Sequence, residues 1–254
     1  MSLGETDIPR RSILGVDVVA LPWADAIEVM RERIAQQRFA LVTWLNAHNA
    51  NLAQENVDFR QALNQFLVLP DGFGVDIASK LLHGAPFPAN LNGTDFTPAL
   101  LEAETNPLRV GLIGARREVV EKAAESFRQL TPQHEIRVIS DGFFKSEHQP
   151  YILRVLKEYH PHILLVAMGV PRQEMFMAKN LTAEHCTLAF GVGALFDFMA
   201  GAVPRAPLIV QKLRFEWLYR LAQEPGRLWY RYIVGNPLFL LRVIRAKFKV
   251  GGGA

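Results

Sequence analysis

Three features of the sequence predict an α/β fold built on a doubly wound, Rossmann-like parallel sheet. Short β-rich runs alternate with helical patterns from residue 41 to about residue 200. Some of these runs are apolar throughout, such as ILLVAMG at 163–169. Strands covered by helices on both faces read that way. Glycine-rich and polar segments follow the runs, which gathers them at the carboxyl edge of one sheet.

In chain order the strand candidates are Leu41–Asn46, Gln65–Leu69, Arg109–Gly114, Glu135–Ser140, His162–Gly169 and Cys186–Gly193. Helices fill most of the intervals. One spans Glu118–Leu130, where Val119, Val120, Ala123, Ala124 and Phe127 recur at helical spacing. After the six strands come Asn46, Pro70-Asp71-Gly72, Gly114-Ala115-Arg116, Asp141-Gly142, the GVPRQE segment at 169–174, and Gly191-Val192-Gly193. Open parallel sheets bind ligands where such loops and helix N-termini converge, so this edge is the expected active-site face.

The chain divides near residue 203. Residues 1–203 read as the Rossmann-like catalytic domain and 204–254 as a helical appendage of opposite charge. From Pro204 to Val250 ten basic residues stand against Glu216 and Glu224, giving +8 where the whole chain carries +3. The body is therefore acidic, near −5. Aromatic residues concentrate in the same stretch, among them Trp217, Tyr219, Trp229, Tyr230 and Tyr232. Arginine beside Trp and Tyr suits a boundary with anionic lipid, or a phosphate site. A solvated charged face is the plainer alternative, and nucleic acid competes for any basic stretch. Alternation with bulky aliphatics favours lipid or phosphate. Helices are expected over Leu208–Ala222, Arg227–Val234 and Pro237–Phe248, with breaks at Pro225-Gly226 and Gly235-Asn236-Pro237; Arg242, Arg245 and Lys249 share one side of the last helix.

A single cysteine, Cys186, leaves no intramolecular disulfide and points to a reducing compartment. No apolar run approaches the ~18 residues of a membrane span, and the N-terminus has no signal-peptide core. A cytoplasmic protein that touches a membrane without crossing it is expected.

Asp71, set between Pro70 and Gly72 after an apolar strand, has the place of a general base; Pro-Asp-Gly is also ordinary turn chemistry. Thr43, Asn46 and Asn49 can hold sugar hydroxyls, although helix capping explains the asparagines equally well. Backbone amides at Gly114, Gly169, Gly191 and Gly193 can face a nucleotide, and Asp197 can reach its ribose or base. Tight strand–helix packing accounts for such glycines too. Gln173 and Glu174 open a helix, where the dipole alone favours the acid. None of the nine aspartates forms an Asp-x-Asp pair, and no Walker or Ser/His/Asp signature is present. No metal or other cofactor is expected; a leaving diphosphate would be met by arginines and backbone donors.

Several motifs, taken in order, carry a resemblance. PDGFG at 70–74, GLIGARREVVEKAAE at 111–125, AMGVPRQE at 167–174, FGVGALFDFMAG at 190–201 and RAP…FEWLYRLAQEPGRLWYRY at 205–232 resemble the WecG/TagA/CpsF glycosyltransferases (family 26). The resemblance implies metal-independent, inverting transfer of a sugar from a UDP-sugar to a polyprenyl-diphosphate-linked acceptor, at the inner face of the cytoplasmic membrane. It implies that Asp71 is the general base, that Asn46 and the Gln173-Glu174 pair line the pocket, and that Arg220, Arg227 and Arg231 close over the leaving diphosphate. Two departures stand out. Trp44 occupies the place two before Asn46 where the family has Thr, displacing Thr43 by one, and Asn90 stands where arginine is frequent. Glucose, glucuronic acid, N-acetylmannosamine and its uronic acid therefore remain candidate donors. A homo-oligomer is compatible with the sequence, and no nucleic-acid partner is expected. The competing classes are a nucleotide-binding oxidoreductase, disfavoured by the missing dinucleotide fingerprint, and a non-catalytic membrane-surface binding protein.

Overall fold

The computed structural model describes residues 8–204, 206–207 and 216–251. Its centre is one eight-stranded sheet in the order β1-β2-β4-β3-β8-β7-β5-β6. The strands are β1 (Arg10–Ile13), β2 (Val16–Val19), β3 (Ala40–Leu45), β4 (Phe66–Pro70), β5 (Arg109–Gly114), β6 (Glu135–Ser140), β7 (Ile163–Ala167) and β8 (Leu188–Gly191). Among the described residues only the β1–β2 hairpin is antiparallel; the other pairings are parallel. The mixed α/β class expected from the sequence is therefore the fold, and the six strand candidates are six of its strands.

The hairpin adds a feature the sequence pattern did not disclose. Leu14 and Gly15 both take positive φ, 51° and 78°, which closes a two-residue turn of the kind that matches strand twist. A leucine at such a position carries no turn signal, so the hairpin is invisible in composition.

Side chains alternate across the sheet and fill two cores. From β3, Val42 and Trp44 point into one; Leu41 and Leu45 point into the other. The first core is roofed by α1 (Trp23–Ala35), α5 (Gly93–Ala103), α6 (Arg117–Leu130) and α9 (Leu195–Met199). The second is roofed by α2 (Ala47–Glu55), α3 (Val57–Leu63), α4 (Phe73–His83), α7 (Gln149–Tyr159) and α8 (Arg172–Asn180). One further helix joins this second layer from the far end of the chain.

That helix is α12 (Gly235–Gly251), preceded by α10 (Glu216–Gln223), α11 (Pro225–Trp229) and a π-helical turn over Tyr230–Val234. Phe239 and Val243 of α12 are fully buried in the second core, against α2 and α4. Arg242 donates to the Asn51 carbonyl and side-chain oxygens at 3.0 Å each and to Glu55 Oε1 at 2.8 Å. Two expectations are corrected here. Arg242 is committed to the body of the protein, not to the outer face with Arg245; the Lys249 side chain lies outside the described residues. The break at Gly235-Asn236-Pro237 does not occur either. Gly235 has helical dihedrals and its N–H reaches back five residues to the Tyr230 carbonyl. That extra residue in the turn shifts the hydrogen-bond ladder just before Pro237, where a proline would otherwise collide with the preceding turn. The expected helix over 208–215 lies outside the described residues.

Candidate active site

The carboxyl ends of the strands surround a cavity of about 660 Å³. Its floor has two halves. Over β3 and β4 stand Thr43, Asn46, Asn49 and Asp71; over β8, β7, β5 and β6 stand Gly191 and Gly193, Gly169 and Gln173, Ala115 and Arg116, and Gly142. Asp197 and Phe198 of α9 form one wall, and Arg220 and Arg231 enter from the C-terminal helices.

Asp71 is positioned by backbone. Its N–H donates to the Leu45 carbonyl at 2.9 Å, extending the β3–β4 ladder by one residue. The next amide, of Gly72, donates to Asn90 Oδ1 at 2.8 Å, and Gly72 takes φ 93°, which opens the turn into α4. Asn90, the departure noted above, is thus a brace for the Asp71 turn. Asn46 caps α2, accepting from the Asn49 amide at 3.0 Å, and its Nδ2 donates to Asp71 Oδ2 at 3.3 Å. One residue thus both caps α2 and reaches the Asp71 carboxylate at the cavity. Burial pushes the Asp71 carboxyl above its ordinary value. The Asn46 hydrogen bond and the charges of Arg231 and Arg220 oppose that shift; Asp95 adds to it.

Glu174 stands behind the cavity wall, which corrects its expected contact with substrate. It is fully buried and does not line the cavity. Its Oε1 accepts from Thr43 Oγ1 at 2.8 Å and from Gln173 Nε2 at 2.9 Å. Its Oε2 has no hydrogen-bond partner among the described residues, and burial drives its pKa up. The hydrogen bonds from Gln173 and Thr43 oppose that rise. Gln173, buried with it, donates to the Gly191 carbonyl at 2.8 Å and accepts from the Gly193 amide at 3.2 Å. The pair clasps the loop after β8. A Cβ on Gly191 would meet Gln173 Nε2 at 2.9 Å, so the glycine is needed for close packing. Glu174→Gln is expected to keep wild-type stability and activity, because its amide oxygen accepts the same two donors. Glu174→Leu leaves the Thr43 hydroxyl and one N–H of Gln173 without their acceptor, at about 1–3 kcal/mol for each buried polar group. Urea denaturation beside initial rates checks both.

Gly114 supports the cavity from below without lining it. At φ 138° a Cβ there would lie 2.3 Å from the Ala167 carbonyl oxygen, so only glycine lets β5 turn against β7. Its neighbour Ala115 is the residue that faces the cavity.

Arg220 lies with its guanidinium 5.1 Å from the centre of the Phe198 ring, tying α10 to the cavity wall. Its Nε is buried with no hydrogen-bond partner among the described residues. Arg231 stands within charge–charge range of both Asp71 and His48. Arg227 sits on α11, and its side chain lies outside the described residues.

The structure adds residues that spacing did not single out: His48, Trp44, Phe143 and Arg172 also line the cavity. Trp44 donates its indole N–H to the Leu91 carbonyl, and its ring is the surface against which Gly93 packs; a Cβ on Gly93 would come within 3.1 Å of it. An aromatic residue in a buried strand gives no sign of function, whereas His48, two residues past Asn46 in the same loop-to-helix turn, was the readable one.

A mostly parallel, Rossmann-like sheet thus carries a carboxylate and arginines that converge on one cavity at its carboxyl edge, the place where open parallel sheets bind ligands. The comparison with known proteins is specific. Residues 11–252 match the model of the Glycosyl transferase WecG/TagA/CpsF family, and the chain belongs to that family. It is 31% identical over 212 residues to the N-acetylglucosaminyldiphosphoundecaprenol N-acetyl-beta-D-mannosaminyltransferase of Bacillus spizizenii, covering 83% of this chain and 80% of that one. The protein of the same name from Staphylococcus aureus (strain MW2) is 29% identical over 244 residues, covering 94% and 93%.

Proposed function

We propose that this protein is an inverting, metal-independent glycosyltransferase. It moves a sugar from a UDP-sugar to a polyprenyl-diphosphate-linked glycan during cell-surface polysaccharide assembly, peripheral to the inner face of the cytoplasmic membrane. The observation that carries the proposal is the meeting of Asp71, braced by Asn46, with Arg220 and Arg231 in one cavity. Asp71 accepts the proton of the acceptor hydroxyl as that oxygen bonds to the anomeric carbon. The bond to UDP breaks on the opposite side, so configuration inverts in one displacement. The electron pair leaves on the diphosphate, where Arg220 and Arg231 balance the charge that a metal ion meets in other transferases. The unpartnered Nε of Arg220 is a donor suited to that anion.

The acceptor class follows from the relatives' names, which specify an undecaprenyl diphosphate carrying N-acetylglucosamine. No helix among the described residues is long and apolar enough to cross a membrane. The outer side of the C-terminal helices suits the surface of one. Trp229, Tyr230, Ile233, Leu241, Ile244 and Phe248 are all exposed, Phe248 by 73%, with Arg245 and Lys247 among them. Such a face buries its apolar side in the headgroup boundary while lysine and arginine pair with anionic lipid.

The deciding experiment offers a panel of UDP-sugars, in EDTA, to the enzyme with N-acetylglucosaminyl- and glucosyl-diphosphate prenyl acceptors, and follows UDP release and glycolipid product. One UDP-sugar is expected to turn over without added metal, and UDP, not NAD, is expected to raise the melting temperature. Arg231→Ala should lower kcat by about 10²-fold, the size expected for losing one group that stabilises developing charge. Stabilisation by NAD with no turnover of any UDP-sugar overturns the proposal.

A further inference from the structure

Every polar side chain on α2 and its cap but one is committed within the protein. Asn46 serves Asp71 and the Asn49 amide. Asn49 donates to the Trp44 carbonyl at 2.8 Å, Asn51 to the Gly235 carbonyl at 2.7 Å, and Gln54 to the Leu14 carbonyl at 2.6 Å. Glu55 receives Arg242. The exception is His48. In the first turn of α2, half-buried and lining the cavity, it forms no hydrogen bond with the described residues. Burial lowers its pKa, the charge of Arg231 lowers it further, and Glu55 opposes them. The balance favours the neutral ring, in which one nitrogen donates and the other accepts.

Its place in the cavity decides what it can meet. The glycine loops that can face a nucleotide lie over β8, β7, β5 and β6, whereas His48 shares the β3–β4 half with Asp71 and Asn46. In a displacement the acceptor oxygen approaches from the side of the base, away from the departing diphosphate. We propose that His48 is an acceptor-recognition residue: its imidazole hydrogen-bonds a hydroxyl of the acceptor's terminal sugar, next to the hydroxyl that Asp71 deprotonates. A sugar hydroxyl both donates and accepts, as that ring does. A phosphate calls for a cation, which a neutral imidazole is not. This assignment rests on the glycosyl-transfer function proposed above.

The test uses the full chain labelled with 13C at its histidine rings, the His48 signal being identified by its loss in His48→Gln. Soluble short-chain prenyl diphosphates carrying N-acetylglucosamine or glucose are titrated, and UDP is titrated separately. The His48 signal is expected to shift with a glycosylated diphosphate, and not with UDP or with the unglycosylated prenyl diphosphate. By calorimetry, His48→Ala should weaken the glycosylated ligand about tenfold, the value of one lost hydrogen bond, and leave UDP affinity unchanged. His48→Gln, which keeps a donor and an acceptor, should recover part of that loss and serves where the alanine variant folds poorly. A shift with UDP alone, a shift with the bare diphosphate, silence towards both glycosylated ligands, or equal weakening of UDP overturns the proposal. Failure of the function itself reads differently: wild type then binds no UDP, whatever His48 does.

Discussion

Asp71→Asn is expected to fold, to bind UDP like the wild type, and to lose glycosyl transfer by about 10²–10⁴-fold, the range a positioned general base contributes. The substitution is nearly isosteric, and the backbone contacts that fix the turn, Asp71 N–H to Leu45 and Gly72 N–H to Asn90, are untouched. What disappears is the one carboxylate that Asn46 orients at the cavity floor. The same variant should gain stability at neutral pH. Because burial raises the folded-state pKa of Asp71, the folded protein holds that proton more tightly than the unfolded chain does. Its contribution is most favourable below the ordinary carboxylate range and is lost as pH rises through the elevated folded value. Asparagine carries no such penalty, so the variant should melt above the wild type near pH 7, with the gap closing towards pH ~4. For the wild type, kcat/KM should rise with pH as Asp71 ionises, from an onset above the ordinary carboxylate value. Transfer retained in Asp71→Asn, or a wild-type rate that is flat across that range, removes Asp71 as the base.

The fold was legible where strands are buried on both faces, because an apolar run ending in glycine or asparagine states both its structure and its end. β5 and β6 coincide residue for residue with the runs Arg109–Gly114 and Glu135–Ser140. The N-terminal hairpin was not legible, since its turn is carried by Leu14-Gly15, and leucine at positive φ is imposed by the sheet and not by local preference. At the cavity, reading the loops after strands was enough to place Asp71, Asn46 and Gln173 on its lining. Sequence could not tell a wall residue from the one behind it. Glu174 and Gln173 are neighbours in the chain, yet only the glutamine reaches the cavity. Nor could a charge count show that Arg242 turns inward while Arg245 lies on α12 near exposed Ile244 and Phe248, because tertiary contacts with Asn51 and Glu55 decide that orientation.

Phe239→Ala is expected to cost about 3–5 kcal/mol of folding free energy, the range for emptying a large aromatic site in a packed core. Phe239 is fully buried between α2 and α4; its ring would lie 3.7 Å from a Cβ at Gly74, so that position is filled on both sides. Charge and composition separate residues 204–254 from the body, and a fragment ending near residue 203 would be expected from them to fold by itself. The packing of α12 predicts otherwise. Removing it bares the seats of Phe239 and Val243 against α2 and α4, and leaves Asn51 without the Gly235 carbonyl and Arg242. Those seats belong to the two helices that follow Asn46 and Asp71, so loosening them loosens the cavity floor. Urea denaturation should show a lowered midpoint for Phe239→Ala, a smaller loss for Phe239→Leu, and a larger one for the fragment 1–203, with UDP affinity falling in the same order. A fragment that unfolds cooperatively at the wild-type midpoint would show that α12 rests on the core without being part of it.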